Sequence, residues 1–240
     1  ATGDFCGGDG TPDLYLCNDF FYSRDRCWLN EGGQRFRAIS RVALRNMSMS
    51  SMTVDFADIN RDGYDDFFVA DMLSRDHASR QRQRANTTRM KEINLPITEA
   101  DFRPEVIHNT LYLNRGDGTY ADVSHFSGVD ASEWSWTPVF LDVDLDGYED
   151  ILITTGHERD SLHMDFINRI EAKKAREKLT VTEMLNLQRI FPRLDTANVA
   201  FRNRGDLTFE EVGDAWGFNA RGVSHGLALA DLDNDGDLDV

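Results

Sequence analysis

Long apolar runs are missing from this sequence. About 18 consecutive apolar residues are needed to cross a bilayer, and the uncharged stretches of the 240 residues stay well short of that. The N-terminal residues, ATGDFCGG, lack the basic region and apolar core of an export signal. We therefore predict no membrane span, and we expect that any export signal was removed or lies outside this sequence.

Basic residues are in the minority. Lys and Arg total 26 against 42 Asp and Glu, which gives a formal net charge of -16. A surface of this sign repels nucleic acid and anionic membranes. We expect neither as the main partner, and cations are the natural counterpart of so many carboxylates.

Cysteine is scarce, with three residues in the first 27, Cys6, Cys17 and Cys27. A disulfide between Cys17 and Cys27 is compatible with the spacing, but the count is odd, so the compartment stays undecided. Nucleophile motifs, phosphate-binding loops and Cys-rich metal spacings are absent from the sequence. The sequence therefore offers no sign of a catalytic constellation.

A repeated acidic motif is what the sequence has in abundance. The pattern D-x-[DN]-x-D-G-x-x-D occurs as DINRDGYDD (58–66), DVDLDGYED (142–150) and DLDNDGDLD (231–239). A second element, N-x-G-x-x-x-[FY], starts 28 residues before each loop, at Asn30, Asn114 and Asn203. A serine lies seven residues before each loop, at Ser51, Ser135 and Ser224. Spacings of 28 and seven residues that recur in all three units do not arise by chance. Each unit is therefore predicted to be one structural module.

The distance from one acidic loop to the next Asn varies, which indicates insertions at 74–108 and 157–195. The first insertion is predicted to be irregular, with room for one helix. The second is predicted to be helical. Its expected apolar stripe is Leu162, Phe166 and Ile170, and a capping box at Thr180 and Glu183 should open a further helix through Leu187 and Phe191.

Between these features the sequence reads as β-structure. Runs such as NTLYLN, TYADVS, WTPVFLDV and DILITT are rich in β-branched and aromatic residues and are separated by Gly and Asp turns. Four short strands in about 50 residues are typical of a propeller blade, although other all-β repeat folds stay open. We predict an all-β fold, a partial β-propeller with helical insertions. It forms one domain, 1–240, with repeats at about 1–26, 27–108, 109–198 and 199–240.

The acidic loops suit calcium, which takes six to eight oxygen ligands from alternate residues of a tight loop. An EF-hand is the rival, but its twelfth position should be Glu and is Val69 or Ile153, and strands should flank these loops. A metal-free acidic turn is the other alternative. The predicted ligands are Asp58, Asn60, Asp62, the carbonyl of Tyr64 and Asp66; Asp142, Asp144, Asp146, the carbonyl of Tyr148 and Asp150; and Asp231, Asp233, Asp235, the carbonyl of Asp237 and Asp239.

The stretch DFCGGDGTPD (4–13) departs from the pattern. Asp9, Gly10 and Asp13 are in register, but Phe5 and Gly7 stand where ligands are expected. A one-residue bulge would let Asp4 serve instead. The sequence thus predicts three calcium ions, and a fourth only if Asp4, Asp9 and Asp13 form a site.

These motifs resemble the FG-GAP or VCBS repeat, the calcium-loop propeller blade also found in integrin α subunits. The segments SSMTVDFADINRDGYDDFFVADML and WSWTPVFLDVDLDGYEDILITTGHERD are similar to exported bacterial VCBS-repeat proteins of the ASPIC/UnbV type. The resemblance implies a calcium-bound β-propeller that is secreted or surface-attached. Three units and a partial one do not close a ring of six to eight blades, so we expect the rest from a longer chain or an assembly.

Other features have ordinary interpretations. The RGD triplets at 115–117 and 204–206 lie in the same repeat turn and are expected to serve hairpin geometry. His157, Glu158, Asp160 and His163 are expected to be surface polar residues rather than a transition-metal cluster. Trp134, Trp136 and Trp216 are expected to pack within blades rather than stack sugars. His108 and His225 are expected to be isolated structural residues.

Two functions from different classes remain. We favour a non-enzymatic binding, adhesion or scaffold module located extracellularly, on the cell surface or in the periplasm, whose insertions contact a protein or carbohydrate ligand. The alternative is a carbohydrate-active enzyme, a lyase or hydrolase, on a calcium-stabilised propeller. It requires a general acid and base outside the metal loops. Glu133, Glu158 and His157 are candidates but form no convincing set.

Overall fold

The structure is a computed structural model that describes residues 1–4, 10–19, 24–39, 43–90 and 103–240. Strands dominate these ranges and helices are few. The strands are β1 (Thr2–Gly3), β2 (Asp13–Leu16), β3 (Arg26–Glu31), β4 (Arg35–Ala38), β5 (Met47–Ser48), β6 (Val54–Ala57), β7 (Asp66–Val69), β8 (Met72–Leu73), β9 (Glu105–Val106), β10 (Thr110–Asn114), β11 (Tyr120–Asp122), β12 (Glu133–Leu141), β13 (Asp150–Thr155), β14 (His157–Arg159), β15 (Arg193–Leu194), β16 (Thr196–Ala197), β17 (Val199–Asn203), β18 (Phe209–Glu211) and β19 (Arg221–Gly222). The helices are α1 (His77–Met90), α2 (Ser124–Ser127), α3 (Met164–Arg176), α4 (Val181–Gln188) and α5 (Gly213–Trp216).

Three antiparallel sheets form the body of the molecule. Their strand orders are β1-β2-β3-β4, β6-β7-β10-β11 and β12-β13-β17-β18, and β8 adds to the third sheet beside β12. Each sheet is a meander of four consecutive main strands, because short turns or insertions join antiparallel neighbours. The predicted four-stranded unit is confirmed, and the fold is a partial all-β propeller.

Strand β7 explains why the blades stack. Its apolar residues form an unbroken run because both faces of the strand are buried. Phe67 and Val69 belong to the core shared with the first sheet, which includes Tyr15. Phe68 belongs to the core shared with the third sheet, together with Ile151. The middle sheet therefore packs against the first sheet on one face and against the third sheet on the other.

The structural blade is offset from the sequence unit. Loop 58–66 connects β6 to β7 and loop 142–150 connects β12 to β13, the first two strands of their sheets. The repeated Asn lies at the end of the third strand or one residue before it. The constant 28-residue spacing thus joins an Asn in the third strand of one sheet to the first Asp of the next acidic loop. One example is the spacing from Asn30 in β3 to Asp58 after β6. The predicted repeat boundaries at 26, 108 and 198 accordingly divide each sheet near its third strand.

The insertions occupy the opposite end of the sheets from the acidic loops, since they connect second strands to third strands. The first insertion contains α1, and residues 91–102 lie outside the described ranges. The second contains α3 and α4, and α1 contacts α3. The capping box is confirmed: Thr180 Oγ1 accepts from Glu183 N, and the Glu183 side chain accepts from Thr180 N.

The predicted bounds of the insertion helices need correction. Leu162 precedes α3, which begins at Met164, so the stripe on that helix starts at Phe166 and leads to the buried Ile170. Phe191 lies beyond the end of α4 at Gln188, yet it is buried. Within the described ranges, none of the helices is both long enough and apolar enough to cross a membrane.

Candidate metal centres in the acidic loops

The three acidic loops share a positive φ at the same two positions. The fourth residue of each loop, Arg61, Leu145 or Asn234, has φ between 57 and 62°. The sixth residue is a glycine in every loop, with φ between 91 and 100°. Residues with a side chain rarely adopt a φ of about 90–100°. The turn therefore requires glycine at the sixth position of all three loops.

The first aspartate of each loop fixes this turn. Asp58 Oδ1 accepts from Asp62 N at 3.0 Å, and its Oδ2 accepts from Gly63 N at 2.8 Å. Asp142 makes the same two bonds at 3.0 and 2.9 Å, and Asp231 makes them at 3.2 Å each. In loop 142–150 the turn brings the alternate side chains Asp142, Asp144 and Asp146 together, as the sequence pattern predicts.

Two of the loops gather three carboxylates. Oxygens of Asp142, Asp144 and Asp146 lie within 4.8 Å of one another. In loop 231–239 the gathered carboxylates are those of Asp231, Asp233 and Asp239. Loop 58–66 has an amide at the third position, and Asn60 Nδ2 donates to Asp62 Oδ2 at 2.9 Å.

The last aspartate of each loop ties the loop to its sheet. Asp66 accepts from Ile59 N at 3.1 Å and from Asn114 N at 2.7 Å. Asp150 accepts from Val143 N at 2.9 Å and from Asn203 N at 2.8 Å. Both carboxylates are buried. Burial raises the pKa of Asp66 to about 7 and that of Asp150 to about 6.

The remaining predicted ligands of loop 231–239 are exposed. Asp235 Oδ1 accepts from Asp237 N at 3.2 Å. The loop is closed by a bridge between Ala230 and Asp239, and Asp239 Oδ2 accepts from Leu232 N at 2.8 Å.

The repeated Asn clamps its own sheet's acidic loop. The Nδ2 of Asn114 donates to Asp65 O and the Nδ2 of Asn203 donates to Glu149 O, each at 3.1 Å. Asn203 Nδ2 also donates to Ile59 O, in the loop of the preceding sheet, at 2.9 Å. Sequence spacing identified this residue as part of the repeat, and the structure assigns it the role of joining loop to third strand.

The tyrosine at the seventh loop position packs on the next hairpin. The Tyr64 ring covers Gly116, where an added Cβ would lie 2.8 Å from Tyr64 Cε2. Tyr148 covers Gly205 in the same way, with a Cβ distance of 3.1 Å to Cζ. This close approach accounts for the glycine of N-x-G in the second and third units, whereas a Cβ at Gly32 in the first unit would meet nothing within 4 Å.

A second polar set, which the sequence analysis missed, joins each sheet to the next. Its members stand five residues before the repeated Asn, and each accepts from the backbone N–H near the end of its sheet's second strand. They are Asp25, Asn109 and Asn198, with donors Asn18 N, Asp71 N and Thr155 N at 2.7, 2.8 and 3.0 Å.

The same set reaches serines of the following sheet. Ser51 Oγ donates to Asp25, Asn109 Nδ2 donates to Ser132 Oγ at 2.7 Å, and Asn198 Nδ2 donates to Ser224 Oγ at 3.4 Å. Ser135 is reached through Ser132, their hydroxyls being 2.6 Å apart. The five-residue offset was available in the sequence, but the mixture of Asp and Asn hides it. Burial raises the pKa of Asp25 to about 6.

Two arginines contact loop 142–150. Arg202, on β17, forms ion pairs with Asp144 at 2.5 Å and with Asp146 at 3.1 Å. Arg61, from loop 58–66, donates to Gly147 O and lies 3.2 Å from Glu149 Oε1. In the part of the chain that the structure describes, the carboxylates of loops 58–66 and 231–239 form no such ion pairs.

The N-terminal stretch resembles the other loops in its hydrogen bonds. Asp4 Oδ2 accepts from Gly10 N at 2.7 Å, as the first aspartate does in the full loops. Asp13 Oδ1 accepts from Asn30 N at 2.8 Å, as Asp66 and Asp150 do from their Asn. Asp9 lies outside the described residues.

The RGD triplets are built into hairpins. Asp117 Oδ1 accepts from Thr119 N at 3.0 Å and from its hydroxyl at 2.6 Å, which lowers the pKa of Asp117. Asp206 makes the same bonds to Thr208. The carboxylates hold the turn, in agreement with the interpretation that they serve hairpin geometry.

Two expectations, one about Asp160 and His163 and one about His108, were wrong. Asp160 and His163 are buried rather than on the surface. The segment before α3 is held to the end of the insertion, where Asp160 N donates to Pro192 O at 2.9 Å. His108 is not isolated: its ring lies 4.6 Å from that of His125, and its Nε2 is 3.8 Å from Asp122. His225 contacts Trp136, with ring centroids 4.6 Å apart.

Two of the tryptophans, Trp134 and Trp136, make contacts within the body of the molecule. Trp134 is buried and stacks on His157 at 4.2 Å, and Trp136 Nε1 donates to Gly156 O at 2.6 Å. Trp216 is half-buried at the end of α5. Cys17 and Cys27 are thiols in the structure, with no bond between them, and burial raises the pKa of Cys17 to about 12.

Comparison with known proteins supports the repeat. A family model described as FG-GAP-like repeat matches residues 8–69, 103–153 and 190–240, which together are more than half of the chain. Each match contains one complete acidic loop. A comparison with curated proteins found no match. The chain belongs to the FG-GAP-like repeat family.

Proposed function

We propose that the chain is a calcium-binding, non-enzymatic binding or scaffold module. One observation carries the proposal: three loops have a positive φ at the same two positions and the same first-aspartate hydrogen bonds, and each has oxygen-bearing side chains at alternate positions of the turn. Asp and Asn oxygens are the donors that calcium prefers. A bound ion would neutralise the carboxylates and stiffen the turn.

The residues fit the ion in a second respect. Arg202 places its guanidinium against Asp144 and Asp146, which supports the inference that a cation is favoured there. Asp142, Asp144 and Asp146 would hold the ion in that loop, and Asp231, Asp233 and Asp239 in the last. Asp58, Asn60 and Asp62 would do so in loop 58–66. The carbonyls of Tyr64, Tyr148 and Asp237 and the side chains of Asp66, Asp150 and Asp235 complete the proposed set.

We propose an extracellular, surface or periplasmic location and a place among exported proteins of the ASPIC/UnbV type. Calcium loops of extracellular modules bind with Kd of about 10⁻⁴–10⁻³ M, which suits calcium-rich surroundings. The proposed partner surface is the end that carries α1, α3 and α4, and the partner is a protein or carbohydrate.

We propose no catalytic role. The Glu133 carboxylate already accepts from Ser74 Oγ at 2.7 Å and pairs with Arg75. Glu158 is exposed, and His157 is stacked on Trp134. A screen of polysaccharide substrates with calcium or with EDTA tests this point, since calcium-dependent turnover would favour a lyase or hydrolase.

Thermal unfolding with 10 mM calcium and with EDTA tests the binding proposal. At this concentration, sites of the expected affinity stabilise the fold by about 1–3 kcal/mol each. Calcium should therefore raise Tm. In Asp142→Ala the difference in Tm between the two conditions should shrink, because one site has lost a ligand.

Asp117→Ala is the matched control, because it removes an exposed carboxylate from a neighbouring hairpin. Its calcium-dependent change in Tm should equal that of the unmodified chain. The proposal would be wrong if Asp142→Ala and Asp117→Ala reduced that change equally, or if calcium left Tm unaltered.

A further inference from the structure

Loops 58–66 and 142–150 differ at one ligand position. The third residue is Asn60 in the former and Asp144 in the latter, so loop 142–150 carries an additional carboxylate. The residue before the repeated Asn differs in parallel: it is Leu113 in the sheet of loop 58–66 and Arg202 in the sheet of loop 142–150. The additional negative charge and the arginine occur together.

The contacts show why these two differences belong together. Arg202 Nε lies 2.5 Å from Asp144 Oδ2, and its Nη2 donates to Asp146 Oδ2 at 3.1 Å. Its side chain is 42% exposed, so it is held by these carboxylates and not by burial in the core. The guanidinium therefore uses oxygens of the third and fifth loop positions, which are proposed calcium ligands.

We propose that Arg202 is a tethered competitor for the cation at loop 142–150. This inference rests on the proposed calcium function. Without calcium, Arg202 neutralises the crowded carboxylates and keeps the loop in shape. When calcium binds, the guanidinium must leave Asp144 and Asp146, so this loop binds calcium more weakly than its charge alone would give.

A consequence is that the two loops fill at different calcium concentrations. Loop 58–66 has fewer carboxylates but no ion pair to break, among the residues that the structure describes. Loop 142–150 has more carboxylates, and its gain in attraction is offset by the cost of displacing Arg202. We expect the displacement to lower the affinity about tenfold, which is about 1.4 kcal/mol and lies within the range that two exposed ion-pair contacts supply.

Residue-resolved calcium titration tests the proposal. The backbone N–H of Gly63 donates to Asp58 and that of Gly147 donates to Asp142, so their amide signals in proton–nitrogen NMR spectra report the two loops separately. Arg202→Gln should lower the calcium midpoint of Gly147 about tenfold and leave that of Gly63 unchanged. Should this variant fail to fold, Arg202→Lys carries the test. Lysine keeps the positive charge but lacks the planar guanidinium that contacts both carboxylates. We therefore expect the Gly147 midpoint to fall about threefold.

Arg204→Gln is the matched control. Arg204 lies two residues after Arg202 and pairs with Glu210 at 2.9 Å. Its substitution removes the same charge without removing a contact to loop 142–150. The Gly147 midpoint should change less than twofold. The double variant Asp144→Asn with Arg202→Leu copies the Asn60 and Leu113 arrangement, and its Gly147 midpoint should approach that of Gly63.

The outcomes separate the inference from the function on which it rests. If the Gly147 midpoint does not move in Arg202→Gln, or moves equally in Arg204→Gln, Arg202 is no competitor, although the loops still bind calcium. If neither glycine signal responds to 10 mM calcium in any variant, both the proposed function and this inference are overturned.

Discussion

The two ends of the sheets are built on different rules. At the acidic end, the same contacts recur at the same offsets: Asp66 accepts from Asn114 N, and Asp150 accepts from Asn203 N. At the opposite end, α1 occupies one connection, and α3 and α4 occupy the next, with different sequences and contacts. The set Asp25, Asn109 and Asn198 repeats at this opposite end as well, so only the inserted connections are individual to each blade.

The difference shows where stability and variation are placed. At the acidic end, the bonds of Asp66 to Asn114 N, of Asp150 to Asn203 N and of Asn203 to Ile59 O are buried. They link loops to strands and one sheet to the next, so they should affect global unfolding. The helix α4, in contrast, has no buried residue, and Leu185 is 61% exposed. Changes there should have local effects only.

Asn203→Ala should have the largest effect and tests whether the acidic end controls global stability. The change removes both Nδ2 bonds and leaves the carbonyls of Ile59 and Glu149 without this donor, at an expected loss of about 2–4 kcal/mol in the free energy of unfolding. Urea denaturation measures it. Asn30→Ala, where Nδ2 donates to Pro12 O at an exposed position, should cost less. Equal losses of unfolding free energy in Asn203→Ala and Asn30→Ala would show that burial of the Asn contacts does not matter for stability.

Gly116→Ala should have a smaller but still global effect. The new Cβ would lie 2.8 Å from the Tyr64 ring at a backbone φ of 68°, and we expect a loss of about 1–3 kcal/mol. Gly118→Ala has a similar φ of 77° and open space around it, so it isolates the backbone cost. A loss in Gly118→Ala as large as that in Gly116→Ala would show that the ring contact is unimportant.

Thr180→Ala should have the smallest effect on the whole molecule. It removes the cap of α4, worth about 1 kcal/mol locally. Hydrogen exchange should become faster in α4, while the urea midpoint of the sheets stays unchanged. A shift of that midpoint as large as the one caused by Gly116→Ala would mean that the two ends unfold as one unit.

Sequence reasoning succeeded where the structure is local and repeated. The strands at NTLYLN and DILITT and the three loop turns follow from patterns within a few residues of one another. The Asn register also emerged, because it recurs at a fixed distance.

Contacts across long sequence separations escaped it. Arg202 is 58 residues from Asp144, and a single arginine without a counterpart in the other units carries no periodic signal. The burial of Asp160 and His163 depends on how an insertion folds back, which local pattern does not encode. The offset between sequence unit and sheet was hidden because a repeat can be divided at any point along its period.

The hydrogen bonds between each acidic loop and the third strand of its sheet also set when a loop can be completed during synthesis. Loop 142–150 is synthesised 53 residues before Asn203, and loop 58–66 precedes Asn114 by 48. A nascent chain therefore holds each turn without its last hydrogen-bond donors until the whole insertion has emerged. Lengthening an insertion delays that completion and leaves the finished blade unaltered.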